Sequence, residues 1–309
     1  MIKLIDTHTH INLRAFKDDA SETIQRALDN GVGVINVGTQ IDTSREAVKL
    51  LEQFPENVFA VIGLHPTHTY THDYEDDEEV KFKTREEGFD YESYKALAQD
   101  PRVIGIGECG LDYYRMPEDR DHEEIKKLER VSFLEQIRLA KELDKVLCIH
   151  CRSSEGSNDA YEDLLEILKP VCHPELVSGF SDNLGDPDFR QDDNGKNKDD
   201  NRLRFEVHCF TGDLVNAQKF VELGGLIGIN GIITFDKTGR SEEVVKGLPL
   251  EAMILETDAP YLSPKSMRGK RNEPSYIIEV AEKIAEWKNV SVDEVCEVTT
   301  GNAKKLFRI

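Results

Sequence analysis

The feature that most constrains this chain is the spacing of its apolar runs. Short stretches rich in β-branched residues fall at 4–8, 32–38, 58–65, 103–107, 146–150, 205–209, 226–230 and 253–257, with segments of helical period between them. A strand, then a helix, then another strand is the pattern of parallel pairing, because a parallel neighbour is reached only by a crossover. Eight such units within 309 residues fit a single-domain α/β fold, a (β/α)8 TIM barrel, better than an open doubly wound sheet, which stays as the alternative. No linker or internal repeat divides residues 1–309.

Helix punctuation agrees with this reading. Thr43-Ser44-Arg45-Glu46 reads as a capping box ahead of Ala47, Leu50, Leu51 and Phe54 on one face. Asp213 caps a segment carrying Ala217, Phe220 and Val221, which Gly224-Gly225 ends. The longest helical pattern runs over about 123–143, and Ser291-Val292-Asp293-Glu294 opens a last helix toward Leu306. Two stretches break the pattern and read as irregular insertions, at about 69–91 and 170–203. In a barrel the first follows a strand and lies on the rim beside any site, whereas the second follows a helix and lies at the far end.

Hydrophobic residues make up 39% and charged residues 32%, enough apolar material for a sizeable core. No apolar run approaches the roughly 20 residues of a membrane span, and Asp6 comes too early for a signal peptide. The six cysteines are scattered, which is the pattern of reduced thiols in a cytoplasmic protein. The net charge of −21 opposes nucleic-acid binding on average, but an average surface does not decide a local site. The acids are also concentrated: between Asp73 and Glu92 ten of them face only Lys81, Lys83 and Arg85.

Polar residues collect where the apolar runs end. The first run closes in Asp6-Thr7-His8-Thr9-His10, and alternation puts Asp6, His8 and His10 on one face, so that two imidazoles can meet one cation. Others close in His65-Pro66, Glu108-Cys109-Gly110-Leu111-Asp112, His150-Cys151-Arg152, His208-Cys209 and Glu256-Thr257-Asp258. A lone histidine at a strand end is more often a satisfied core group, and a lone carboxylate a helix cap. Here four histidines (8, 10, 150 and 208) and two acids (108 and 258) coincide at strand ends that one barrel mouth would gather. Unpaired, they would be costly beside an apolar core, so they read as metal ligands. Gly105-x-Gly107-x-x-Gly110 matches the dinucleotide fingerprint but opens no helix, because Asp112 to Pro117 carries no apolar face. Cys148-x-x-Cys151 has no second pair at ligand spacing and reads as packed thiols.

Taken together, DTHTH at 6–10, GLHP at 63–66, GECGLDYYR at 107–115, IHCR at 149–152, HCFTG at 208–212, ETDAPYLSP at 256–264, RGKRNEP at 268–274 and GNAKKLF at 301–307 resemble the TatD-type metal-dependent deoxyribonucleases, which are amidohydrolase-like metallohydrolases. The resemblance spans nearly the whole chain. It implies two divalent ions (Mg, Mn or Zn): one held by His8, His10 and Asp258, a second by His150 and His208, with Glu108 bridging. It implies catalytic roles for Asp258, Glu108 and His65. Substrate contacts fall on His65, Arg115, Arg152, Arg268 and Asn272, with Glu256, Lys270 and Arg271 in the same surroundings. The implied reaction is hydrolysis of DNA phosphodiesters, as a 3′-5′ exonuclease on single strands or 3′ ends, by a monomer that needs no membrane. Two alternatives remain: an ester or amide hydrolase such as a D-aminoacyl-tRNA deacylase, and a metal-binding protein without turnover. The acidic stretch would repel a long polyanion, which restricts the expected substrate to short ends or small esters.

Overall fold

The computed structural model describes residues 2–71, 73–75, 81–83, 85–172 and 202–309, excepting the side chains of 73–75 and 81–83. Its strands, in chain order, are β1 (Leu4–Thr9), β2 (Val32–Val37), β3 (Val58–Ile62), β4 (Asp73–Glu75), β5 (Lys81–Lys83), β6 (Val103–Asp112), β7 (Val146–Arg152), β8 (Phe205–Val207), β9 (Leu226–Ile229) and β10 (Met253–Leu255). All but β4 and β5 form one eight-stranded sheet in sequence order, and every pairing along it is parallel. The first and last strands meet at a parallel bridge between Thr9 and Ala259. There Asp258 N donates to His8 O at 2.9 Å and His10 N donates to Ala259 O at 2.7 Å. The sheet is thus nearly closed into the expected (β/α)8 barrel.

The helices are α1 (Ala20–Asp29), α2 (Ile41–Leu51), α3 (Tyr91–Leu97), α4 (His122–Glu142), α5 (Asp159–Cys172), α6 (Leu214–Glu222), α7 (Arg240–Gly247), α8 (Ile277–Lys288) and α9 (Val292–Phe307). Their apolar faces and the outward side chains of the strands make the larger core, with Ile24, Leu51, Phe133, Leu164 and Phe220 fully or almost fully buried. Ile5, Ile35, Val37, Val61, Ile104, Val146, Cys148 and Ile254 form a second cluster with Ala303, Leu306 and Phe307 of α9. Thr300 of α9 donates to Lys3 O and Asn302 to Met253 O, at the starts of β1 and β10. The last helix therefore closes the end of the barrel away from the strand C-termini.

Asp213 caps α6 by accepting from Asn216 N, and Ser291 caps α9 by accepting from Glu294 N, both as read from sequence. The start of α2 differs. Gln40 is its N-cap, and the Thr43 hydroxyl accepts from Gln40 N as the third residue of the helix. β6 runs for ten residues, through Glu108 to Asp112, well past the apolar run at 103–107. Gly105, Gly107 and Gly110 all lie inside it, and no helix opens there. Cys148 and Cys151 are buried free thiols on β7.

The acidic stretch is not wholly irregular. β4 and β5 pair antiparallel, with Asp73 opposite Lys83 and Glu75 opposite Lys81 in the backbone register. Beyond them Arg85 binds both Asp42 and Glu87 at 2.9 Å, and Glu87 accepts from Ile41 N. At the other insertion α5 continues through Pro170 to Cys172, and residues 173–201 lie outside the described residues. Among the described residues no helix is long and apolar enough to cross a membrane.

Candidate metal centre

Five of the six residues singled out at the strand ends, His10, Glu108, His150, His208 and Asp258, line one cavity of about 1230 Å³ at the C-terminal mouth, and His8, fully buried, stands beside Glu108 just beneath it. Glu108 lies at the middle. Its Oε2 stands 3.5 Å from His8 Nε2 and 3.6 Å from His10 Nε2, while its Oε1 stands 3.0 Å from His150 Nδ1 and 3.7 Å from His208 Nε2. Asp258 Oδ1 completes the ring, 3.4 Å from His10 Nε2 and 3.9 Å from His208 Nε2. His8 Nε2 and His10 Nε2 approach within 3.3 Å. Two imidazole nitrogens and a carboxylate oxygen aimed at one point form a donor set suited to a divalent cation. Three other groups of ligand-type atoms lie close together: His65, Glu108 and His150; His208, Cys209 and Asp258; and His8, His208 and Glu256. Asp6, placed with His8 and His10 by alternation, is not in the cage. Its carboxylate accepts from Thr257 N and Oγ1 and braces the seam between β1 and β10.

The groups behind the rings decide which nitrogen faces inward. His10 Nδ1 lies 2.9 Å from Val37 O, a pure acceptor, so the proton sits there and the Nε2 lone pair points into the cage. His208 Nδ1 stands 3.1 Å from Glu256 Oε2, an ion-pair contact off hydrogen-bond alignment. His150 is turned the other way. Its Nε2 is 3.0 Å from Asp112 Oδ2, which leaves Nδ1 for the cage. His65 Nδ1 accepts from Thr67 N at 3.2 Å, so its proton sits on Nε2, 3.4 Å from Glu108 Oε1. His65 therefore offers the cage a donor where His10 and His150 offer a lone pair.

Charge is divided between neighbours. His8 and His208 stack with ring centroids 3.5 Å apart, too close for both to be cationic. Burial, with His208 beside it, pushes the pKa of His8 down to about 4. Burial also opposes protonation of His208, but Glu256 and Asp258 outweigh it and bring His208 up to about 10. Glu108 and Asp258 are held below the usual carboxylate range against the pull of burial, Glu108 chiefly by His65 and His150 and Asp258 by His208 and His10. The cage thus contains ionised carboxylates, a neutral imidazole at His8 and two buried ring nitrogens, His8 Nδ1 and His208 Nδ1, without a hydrogen bond. The donors present fit divalent ions. Cys209 and Asp258, beside the cage, sit in the left-handed backbone region at φ 46° and 58°, which is uncommon outside glycine and frequent near functional sites.

The residues expected to touch substrate separate into two groups. Arg152 and Arg268 line the mouth. Their guanidinium groups lie over aromatic rings, Arg152 3.9 Å from the Tyr114 centroid and Arg268 4.5 Å from that of Phe235. No described carboxylate pairs with either guanidinium. Arg115 and Arg271 border the same cavity, but Arg115 donates to Asp112 Oδ2 at 3.3 Å, and Arg271 binds the Asp19 carboxylate and Ala15 O. Asn272 is 1% exposed. Its amide donates to Thr257 O and Tyr261 O and its carbonyl accepts from Glu273 N, so it ties the loop after β10 together instead of reaching the mouth.

Sequence reasoning passed over Asp112. The signal was present, because Glu108, Gly110 and Asp112 share one face of a strand at period two. Gly228 was passed over as well; a Cβ there would stand 2.5 Å from Glu256 Oε2, so only glycine admits that carboxylate behind His208.

A parallel eight-stranded barrel with an imidazole and carboxylate cage at the strand C-termini defines a metal-dependent hydrolase. The family model described as "TatD related DNase" matches residues 5–308, and the chain belongs to that family. It is 34% identical over 307 residues to the uncharacterized metal-dependent hydrolase YabD of Bacillus subtilis, with 99% of each chain covered. It is 31% identical over 307 residues to a 3′-5′ ssDNA/RNA exonuclease TatD of Rahnella, with 97% of each covered. The crystal structure of the TatD homolog YjjV from Escherichia coli superposes with a TM-score of 0.75 at 26% identity, covering 99% of this chain and 98% of that one. The protein is an enzyme, a TatD-family metal-dependent hydrolase.

Proposed function

We propose that the protein is a divalent-metal-dependent exonuclease that removes nucleotides from the 3′ end of single-stranded DNA. The carrying observation is the pair Arg152 and Arg268: in a chain of net charge −21, the cage mouth presents two guanidinium groups with no carboxylate partner among the described residues. Guanidinium groups match phosphate oxygens in geometry and charge. The Rahnella relative, named as an exonuclease on single-stranded DNA and RNA, supports the same reading.

Two ions would be held by His8, His10 and Asp258 on one side and by His150 and His208 on the other, with Glu108 between them. When bound, such ions supply Lewis acidity, lowering the pKa of water and offsetting charge on a phosphoryl group. The protein's own groups do the rest. Asp258, ionised and 3.4 Å from His10, is placed to take up a proton from the attacking water. His65, with its proton on Nε2, donates to a phosphoryl oxygen or to the departing alkoxide. Arg152 and Arg268 orient the flanking phosphates.

A parallel assay tests the reading. The enzyme with Mg²⁺, Mn²⁺ or Zn²⁺ is offered 3′-labelled single-stranded DNA, a chromogenic phosphodiester and a D-aminoacyl-tRNA. Release of labelled mononucleotide is expected. Exclusive release of amino acid would overturn the proposal, and binding of metal without turnover of any of the three would make the protein a metal binder only.

A further inference from the structure

We propose that Tyr114, backed by Arg152, is a nucleobase-stacking subsite on the rim of the mouth, which grips the unpaired base next to the phosphodiester being cut. The inference rests on the nuclease reading above and adds a specificity determinant to it.

Tyr114 is 50% exposed, and it is the only exposed Phe, Tyr or Trp ring among the described residues. Its position is fixed from two directions. Its backbone N donates to Asp112 Oδ1 at 3.1 Å, and the other oxygen of the same carboxylate holds His150 at 3.0 Å. The ring is therefore tied, through one residue, to a side chain of the cage. Arg152 follows His150 by two residues on β7, and its Cζ stands 3.9 Å from the Tyr114 centroid.

A guanidinium lying on a ring at that distance covers one face and leaves the other open. Stacking uses only the flat of the guanidinium, so its N–H groups remain in plane, and no described side chain or carbonyl takes them up. An open aromatic face beside unclaimed guanidinium donors matches the two halves of a nucleotide, a flat base and a phosphate. The second arginine of the mouth does not repeat the arrangement: Phe235, under Arg268, is half-buried and has no comparable open face. Stacking on a tyrosine accepts any base, since every base has a π-face. It does require the base to be unstacked from a partner strand, so the subsite selects frayed or single-stranded ends over blunt duplex ends.

The test compares wild type, Tyr114→Ala, Tyr114→Leu and Tyr114→Phe on three substrates: a short 3′-labelled single strand, the same strand with an abasic 3′-terminal nucleotide, and a base-free chromogenic phosphodiester. The quantity read is kcat/KM on the strand divided by kcat/KM on the chromogenic diester. The alanine and leucine variants should lower this ratio about 10-fold to 100-fold, mostly through KM, and Tyr114→Phe should restore it. Removing the terminal base should lower the wild-type ratio by a similar factor and should add little to the loss in Tyr114→Ala. A ratio unchanged in both the alanine and leucine variants, while wild type cleaves the strand, overturns the subsite and leaves the nuclease reading standing. Wild type that cleaves no strand at all overturns both.

Discussion

The two flanks of the cage use the same residue type and wire it differently. On the flank at the barrel seam, His10 rests on the Val37 carbonyl and presents Nε2, with His208 backed by Glu256. On the flank built by β6 and β7, His150 has its Nε2 against Asp112 and presents Nδ1, while His65 presents a proton. The acids behind the rings differ as well. Asp112 is held well below the usual carboxylate range by His150 and Arg115 against its burial. Behind the seam flank, burial raises both Asp6 and Glu206 to about 8. At β6 and β7 an ionised acid thus stands directly against the ring, whereas at the seam the two raised acids lie around Glu256, which faces His208. A ring's chemistry here is decided by what stands behind it.

Glu108 is the one carboxylate shared by both flanks, so its loss should have the largest effect. Glu108→Ala should lower kcat/KM by about a thousandfold or more and deplete both ions in elemental analysis; retention of a full complement would show that the flanks are independent. The outer carboxylates come next. Asp112→Asn and Glu256→Gln should each weaken metal affinity about 10-fold to 100-fold, and because His150 and His208 would hold the same ion, titration calorimetry should assign both losses to that ion. If the two variants weaken different ions, His150 and His208 do not share one.

His65→Gln removes a donor and no ligand. It should lower kcat about 100-fold with metal content unchanged, and any loss of metal would move His65 into the ligand set. The smallest effect concerns stability. Glu206, raised to about 8 mainly by burial and then by Glu256, is protonated in the folded protein at pH values where the unfolded chain, near 4.5, has lost its proton. The folded state binds more protons between those values, so its stability is full below about 4.5 and falls as pH rises through 8. Glu206→Gln, neutral at all pH, should flatten the Tm profile of chelator-treated protein between pH 5 and 9 by a few degrees. An unaltered profile would show that Glu206 does not carry that dependence.

The barrel and the cage were legible because both leave a local trace. Eight apolar runs announce eight strands, and each residue of the cage is a polar residue at the end of one. What escaped depends on partners far along the chain or on the reverse side of a strand. Arg271 looks like a phosphate donor until Asp19, 252 residues away, takes its guanidinium. Arg115 looks the same until Asp112 takes its own. Asn272 sits in a basic motif yet serves carbonyls of its own loop. Asp112 was hidden because the apolar run ends at Gly107 while the strand continues through alternating polar and small residues. The start of α2 was displaced because Thr43 acts backward on Gln40, and a threonine before a glutamate is read more readily as the cap itself.

The join between β1 and β10 gives the centre a second consequence. His8, His10 and Asp258 flank the two backbone bonds that fasten first strand to last. A cation lodged among them would be a clasp on the hoop as well as a tool of hydrolysis. Protein stripped by a chelator should come undone there first, with amide exchange quickening at residues 6–10 and 256–260 while the opposite wall, β3 against β6, keeps its protection.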